Sequence, residues 1–406
     1  MPSILFINRV YPPDSGATGR VLEQAAGVFV KAGWSATILA TGCGAESDSR
    51  VRDCVTVVRV PTLFSKSSLL VRALGYALMI PSLLLKALIL PRTDVVVTMT
   101  DPPMLAVIGP FLRAAKGAKL VHWAQDLYPE VAEEADVFRK HGMAAGAIRF
   151  LSTASLKAHH LVLSPGRCMS ERLLLRGIAP ERVRLIPNIG MERDIAPSER
   201  RNNAFRGQHG IAPETLVVMY SGNLGRAHEF ATVLEAARML KERGEHGILF
   251  LFVGEGPSRS IVENASLSAG LKNVRFLPPQ PGSGISESLG AADLHLVTMR
   301  EGMSGLVVPS KFYGVLAAER PCLFVGPPDS EVARVILEIG CGSVIGIGES
   351  SRLVEVILNY RDHPGRITGE GRHGCEWLRN QSDAGTEFQR CATGLLVAVD
   401  STLEAR

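Results

Sequence analysis

Leu216-Val217-Val218-Met219-Tyr220-Ser221-Gly222-Asn223-Leu224-Gly225-Arg226 decides the fold class of this chain. Five apolar or aromatic residues in a row fit a strand buried on both faces, and the glycines after them open a turn. A helix-period segment follows at 232–241. Strand, glycine loop and helix in that order are the opening of a doubly wound α/β unit. The chain begins the same way: residues 4–7 precede Gly16-Ala17-Thr18-Gly19 and the periodic segment 20–32.

Working outward, short β-branched runs recur at 36–39, 55–60, 95–98, 120–123 and 161–163, and again at 248–253, 274–277, 294–297 and 322–325. Helical segments between them imply parallel sheets covered on both faces. The alternation pauses at Ile186-Pro187-Asn188-Ile189-Gly190 and over the polar stretch 193–210, which reads as a linker. At 406 residues the chain suits two domains. The expectation is two Rossmann-like domains, 1–190 and 191–375, with helices at 376–406, and ligands at the carboxyl ends of the strands facing a cleft.

Hydrophobic residues make up 46% and charged residues 21%, so a packed globular protein is expected. A net charge of only +4 gives no reason to expect a nucleic-acid partner. The charge is uneven, however. Lys66, Arg72, Lys86, Arg92, Arg113, Lys116 and Lys119 face only Asp94 and Asp101, among long apolar runs, which suits an anionic membrane surface. Within this stretch Leu69–Leu90 is apolar over a membrane's span but carries Arg72, Pro81 and Lys86. A spanning helix, an interfacial or re-entrant helix and a core hairpin all remain open. Seven scattered cysteines without Cys-x-x-Cys spacing point to a reducing compartment and to no zinc site. The first apolar stretch is too short for a signal peptide and reads as a buried strand.

The chain has no P-loop, no His-Glu-x-x-His and no Asp-x-Asp. A diphosphate would have to be held by amides, helix ends and cations instead of a metal. Three loops offer this: Gly16 to Gly19, Gly222 to Arg226, and Arg300 to Gly305 ahead of Val308-Pro309-Ser310-Lys311. Lys311 in the first turn of a helix opposes the macrodipole, and an anion nearby would relieve it. Each loop also has a bland reading, as a turn or a solvated lysine. Arg9 could bind an acceptor phosphate or pair with Asp14, Asp126 could be a turn cap, and His122 reads as a strand residue satisfied in place.

Together, Asn8-Arg9-Val10-Tyr11-Pro12-Pro13-Asp14, Gln125-Asp126-Leu127-Tyr128-Pro129-Glu130, Ile186-Pro187-Asn188, Tyr220-Ser221-Gly222-Asn223, Val253-Gly254-Glu255-Gly256-Pro257 and Val308-Pro309-Ser310-Lys311 resemble family-four glycosyltransferases, in the branch that builds bacterial O-antigen and colanic acid. The matches run in order over residues 4–325.

The resemblance implies a GT-B fold and metal-independent, retaining transfer from a nucleotide-diphosphate sugar, with no cofactor. It places the donor at Gly222, Asn223, Gly254, Glu255, Pro279, Gly302, Ser304, Gly305 and Leu306, with Gly16 and Gly19 approaching from the other domain. Arg226 and Lys311 would stabilise the leaving diphosphate, and Asp126 would lie beside the transferred sugar. Arg9 and Glu130 are candidates for the acceptor, a lipid-linked saccharide or polyprenyl diphosphate. The enzyme would then work in the cytoplasm, peripherally on the inner face of the membrane. One position departs from the pattern: Gly314 stands where the family's Glu-x7-Glu motif places its second glutamate. Two other readings compete: a nucleotide-sugar 2-epimerase on the same fold, and a non-catalytic membrane scaffold.

Overall fold

The computed structural model describes residues 1–14, 16–42, 51–52, 55–61, 69–137, 142–190, 192, 194–200, 202–381 and 383–403. The chain divides into two compact units, Met1–Met191 with Ser382–Arg406, and Glu192–Gln381.

The first unit holds eight strands: β1 (Ser3–Ile7), β2 (Ser35–Gly42), β3 (Val51–Arg52), β4 (Val55–Pro61), β5 (Val95–Thr98), β6 (Lys119–Trp123), β7 (Leu161–Ser164) and β8 (Val183–Leu185). They lie in the order β3-β4-β2-β1-β5-β6-β7-β8, all parallel except β3 against β4. Period-two alternation splits the buried side chains between two layers. Ile4 and Phe6 point into one core with Phe29, Trp34 and Trp123, while Leu5 and Ile7 point into another with Leu83, Leu105 and Leu112.

The last helix, Ala384–Leu403, joins the first of these layers against the helix Ala17–Lys31. Phe388 is fully buried there, its ring edge-on to Phe29 at 5.2 Å and to Trp123 at 5.1 Å. A Cβ on Gly385 would lie 3.1 Å from the Ala25 Cα, so the two helices meet backbone to backbone. The sequence placed the last boundary at 375/376. It falls instead at 381/382, because the helix Gly365–Arg379 seats Gly374 against Leu316 and Cys341 of the second unit.

The second unit holds six parallel strands: β9 (Leu216–Ser221), β10 (Ile248–Val253), β11 (Val274–Leu277), β12 (Leu294–Thr298), β13 (Cys322–Val325) and β14 (Gly342–Ile345). Their order is β11-β10-β9-β12-β13-β14. Val218 and Tyr220 enter one layer, Val217 and Met219 the other. The polar stretch 193–210 is more than a linker. Arg206 is 3% exposed and binds the buried Asp293 at 2.7 Å, so polarity there marks an internal ion pair.

The segment 69–90 is one helix, Leu69–Ile89, with Pro81 inside it, and not a hairpin. Met79, Leu83 and Ala87, spaced four apart, are buried in the second core layer of their unit. The Lys116 ammonium closes its C-terminal end on the carbonyls of Leu90 at 2.5 Å and Pro91 at 3.2 Å. Leu85 and Ile89 stand 62% and 78% exposed. Lys66 and the Arg72 side chain lie outside the described residues. Among the described residues no helix is long and apolar enough to cross a membrane.

Candidate active site

In each sheet the topology reverses beside the first strand of its unit, at β1/β5 and at β9/β12. Ligands of doubly wound sheets bind at such reversals, beyond the carboxyl ends of the strands. Both places carry residues singled out from the sequence.

At the end of β9 the chain turns through Gly222, whose φ of 130° favours glycine. The loop is zipped to the one after β10. Leu224 donates its amide to the Glu255 carbonyl at 2.9 Å, and Ser258 donates to the Leu224 carbonyl at 2.9 Å. A Cβ on Gly254 would fall 2.0 Å from the Gly222 carbonyl oxygen, so only glycine permits this approach. The amides of Asn223, Gly225, Arg226 and Ala227, by contrast, donate to no protein atom among the described residues. Three of these N–H groups, Gly225 to Ala227, follow one another through a turn, with Asn223 just before the committed Leu224, and such a cluster suits an anion.

Lys311 lies under this loop. Its stem passes 3.4 Å from where a Gly222 Cβ would sit, and its ammonium stands 3.8 Å from the centroid of the Tyr220 ring. The ammonium donates to the Tyr220 hydroxyl and, at 3.4 Å, meets Nε2 of His228. The Tyr220 hydroxyl in turn donates to the Asn223 carbonyl at 2.7 Å. His228 Nδ1 lies 2.6 Å from the Thr298 carbonyl and donates to it, which leaves Nε2 as the acceptor. Every partner of Lys311 is neutral. Burial pushes the amine down to about 7, and the side chain keeps part of its surface open to solvent. Thr298 Oγ1, buried at the end of β12, has no partner among the described residues.

The other residues expected here divide. Arg226 is exposed. Glu255 is tied to Arg259 at 2.6 Å, whose guanidinium also reaches the carbonyls of Gly254 and Leu277. Pro279 is exposed beyond β11. Gly302 and Gly305 turn with φ of 81° and 71°, and Ser304 is buried. The Leu306 amide donates to Met303 at 3.0 Å, so that residue supplies packing and not a free donor.

In the first unit the reversal is bridged by an ion pair. Arg9 grips Asp101 through two bonds, at 2.6 and 2.9 Å, across the ends of β1 and β5. This corrects the expected pairing of Arg9 with Asp14: Arg9 binds Asp101, and Asp14 pairs with Arg59 instead at 3.0 Å. Thr100 Oγ1 accepts from the Gln125 amide at 2.7 Å, setting Asp126 beside this pair. Burial first, and then the Asp101 charge, raise Asp126 to about 7. Among the described residues no backbone amide donates to the Asp126 carboxylate, which speaks against the turn-cap reading. Glu130 is held by Arg176. His122 meets Thr98 Oγ1 at 3.0 Å, and burial and His159 hold it at about 3, as befits a structural histidine. Gly16 and Gly19 pack on Val10, where a Cβ would come within 2.9 and 3.1 Å of its atoms.

Sequence reasoning passed over Tyr220, His228, Asp101 and Thr298. Three of these stand at or just after the end of a strand beside a reversal, and His228 lies two residues past Arg226, so position alone could have marked them.

Residues 15–189 match the glycosyl transferase 4-like domain, and residues 201–309 match the glycosyl transferases group 1 domain. Through these two matches the chain is similar to glycosyltransferases. Among its relatives is the probable glycosyltransferase WbjE of Pseudomonas aeruginosa, 31% identical over 254 residues and covering 62% of each chain. A second is the putative colanic acid biosynthesis glycosyl transferase WcaI of Escherichia coli strain K12, 29% identical over 217 residues and covering 51% of each. The match thus spans less than two thirds of either relative. Sucrose-phosphate synthase from Thermosynechococcus elongatus superposes with a TM-score of 0.79 at 15% identity, covering 98% of this chain and all of the other. Anabaena HepE, solved with UDP and glucose, superposes with 0.73 at 15% identity over 98% of this chain and all of HepE. The fold is GT-B, two doubly wound units in one chain.

Proposed function

We propose that the protein transfers a sugar from a nucleoside-diphosphate donor to an acceptor used in building a surface polysaccharide. The observation that carries this reading is Lys311, desolvated among neutral partners beneath four uncommitted amides at the β9/β12 reversal. That arrangement lacks only an anion, and a diphosphate matches its extent and its shared donors. The family of the relatives supports the transfer, and the UDP in HepE makes UDP the first nucleotide to test.

In this reading the leaving diphosphate gathers charge as the glycosidic bond breaks, and Lys311, Arg226 and the loop amides stabilise it. Stabilisation of this kind is worth about 2–4 kcal/mol for each donor. Transfer with retention lets the departing phosphate oxygen take the proton of the acceptor hydroxyl. Asp126, which gains a proton near pH 7, is proposed as an acceptor-side residue of the first unit. The Lys311 site does the work that an Asp-x-Asp with a metal would otherwise do.

The acceptor is proposed to be lipid-linked, and the first unit to dock on an anionic membrane. Leu85 and Ile89 on one helix, Phe111 (58% exposed) on the next and Phe150 (76%) on a third present apolar surface. Arg92 and Arg113 stand exposed on the same unit.

A thermal-shift screen with UDP, GDP, ADP and dTDP, with and without EDTA, tests the donor reading. A diphosphate at 100 times its Kd should add about 2.7 kcal/mol to the stability of the native state, unchanged by EDTA. Activation by Mg²⁺ that EDTA abolishes would contradict the metal-free reading, and no response to any of the four would contradict the donor reading.

A further inference from the structure

We infer that Lys311 enters the donor site as a neutral amine, held by Tyr220 and His228, and that a nucleoside diphosphate binds together with one proton taken up by that amine. This rests on the donor reading above and concerns how the site loads.

The geometry argues it. The ammonium position is surrounded by the face of the Tyr220 ring at 3.8 Å, the Tyr220 hydroxyl, the Asn223 carbonyl at 3.5 Å and His228 Nε2 at 3.4 Å. The titratable groups facing it from β9 and from the loop after it are Tyr220 and His228. Neither carries charge near neutral pH: burial raises the tyrosine well above its ordinary range and, with Lys311 nearby, holds the histidine at about 3. Among the described residues no carboxylate contributes to the lysine's environment. A lysine without a counter-charge in a desolvated place yields its proton more readily than one in water, in accord with its fall to about 7.

His228 is a positioning residue in this arrangement. Its donation to the Thr298 carbonyl fixes the tautomer, so the lone pair of Nε2 faces Lys311 whatever the charge on the amine. Tyr220 does the same from the other side through its hydroxyl. When phosphate oxygens reach the loop, they supply the missing negative charge, and the protonated amine becomes the favoured form. The proton comes from solvent, and the lysine gains the charge that the leaving diphosphate later needs.

Isothermal titration of the full chain with UDP near pH 8, in buffers of different ionisation enthalpy, counts the protons directly. We expect close to one proton taken up per UDP bound, and affinity about fivefold weaker at pH 8 than at pH 7. Lys311→Arg, which cannot discharge, should bind UDP with almost no uptake and a flat pH dependence. Lys311→Met should lose binding, and an unchanged far-ultraviolet spectrum would show that the loss is not unfolding. Binding by the wild type with no proton uptake would overturn this inference and leave the donor reading standing. Uptake that persists in Lys311→Arg would overturn it too, because the proton would then go elsewhere. Failure of UDP, GDP, ADP and dTDP alike to bind would overturn the donor reading and this inference with it.

Discussion

Asp126 shows how much a single side chain depends on surroundings that its own sequence context does not display. The motif Gln125-Asp126 singled it out, but its raised pKa comes from burial and from Asp101, 25 positions away in the chain. The sign of the consequence follows from linkage. A carboxyl held at about 7 in the folded state and near 4 in the unfolded chain destabilises the fold once the unfolded form ionises. Stability is therefore fully present below about pH 4 and is lost as pH rises through 7. Asp126→Asn should match the wild type in melting temperature near pH 4 and exceed it above pH 7. Its transfer activity should fall about a hundredfold or more. Melting curves across pH check this, and a variant less stable at pH 8 than at pH 4, relative to wild type, would refute the buried-carboxyl account. Lys311 was legible as a candidate because a cation in a first helical turn is out of place. Its partners Tyr220 and His228 were not, because a tyrosine ending a strand is ordinarily core.

Glycine loops carry most of what could be read at the level of elements. Gly222 and Gly254 follow strands in the sequence, and the structure shows why both positions need glycine: one loop's backbone passes where the other's side chain would be. Gly254→Ala should cost at least 1–3 kcal/mol, given its φ of 149° and a Cβ 2.0 Å from an oxygen, and should weaken diphosphate binding by displacing Gly222. Paired melts with and without UDP would separate the two effects. A stable variant with unchanged affinity would mean that the loops are not coupled. The long apolar strands were legible for the same reason, since strands buried on both faces are continuous runs. Val51–Arg52, Val183–Leu185 and Gly342–Ile345 were not, being two to four residues long with charged or small members. The buried Arg206 was misread because its partner Asp293 stands 87 residues away, and polarity near a boundary looks like a linker.

For the molecule as a whole, alternation of strand and helix was enough to give two doubly wound units, and the ordered motifs were enough to give the likeness to glycosyltransferases. Less legible was the role of the segment 69–90, because an apolar helix reads alike whether its partner is a core or a bilayer. The structure divides its faces: Met79, Leu83 and Ala87 are buried, while Leu85 and Ile89 are exposed. If the exposed face meets an anionic membrane, each nearby cation contributes about 1 kcal/mol, and binding weakens as salt rises. Vesicle co-sedimentation should then lose most of a variant with Lys86, Arg92 and Arg113 changed to Gln. Equal sedimentation of both proteins on anionic vesicles would contradict electrostatic docking. The central claim, however, is that a nucleoside diphosphate sits on the loop after β9. Hydrogen–deuterium exchange of the full chain with saturating UDP tests it most directly. The account requires slowed exchange at Asn223, Gly225, Arg226 and Ala227, lost in Lys311→Met, and protection confined to other segments would contradict it.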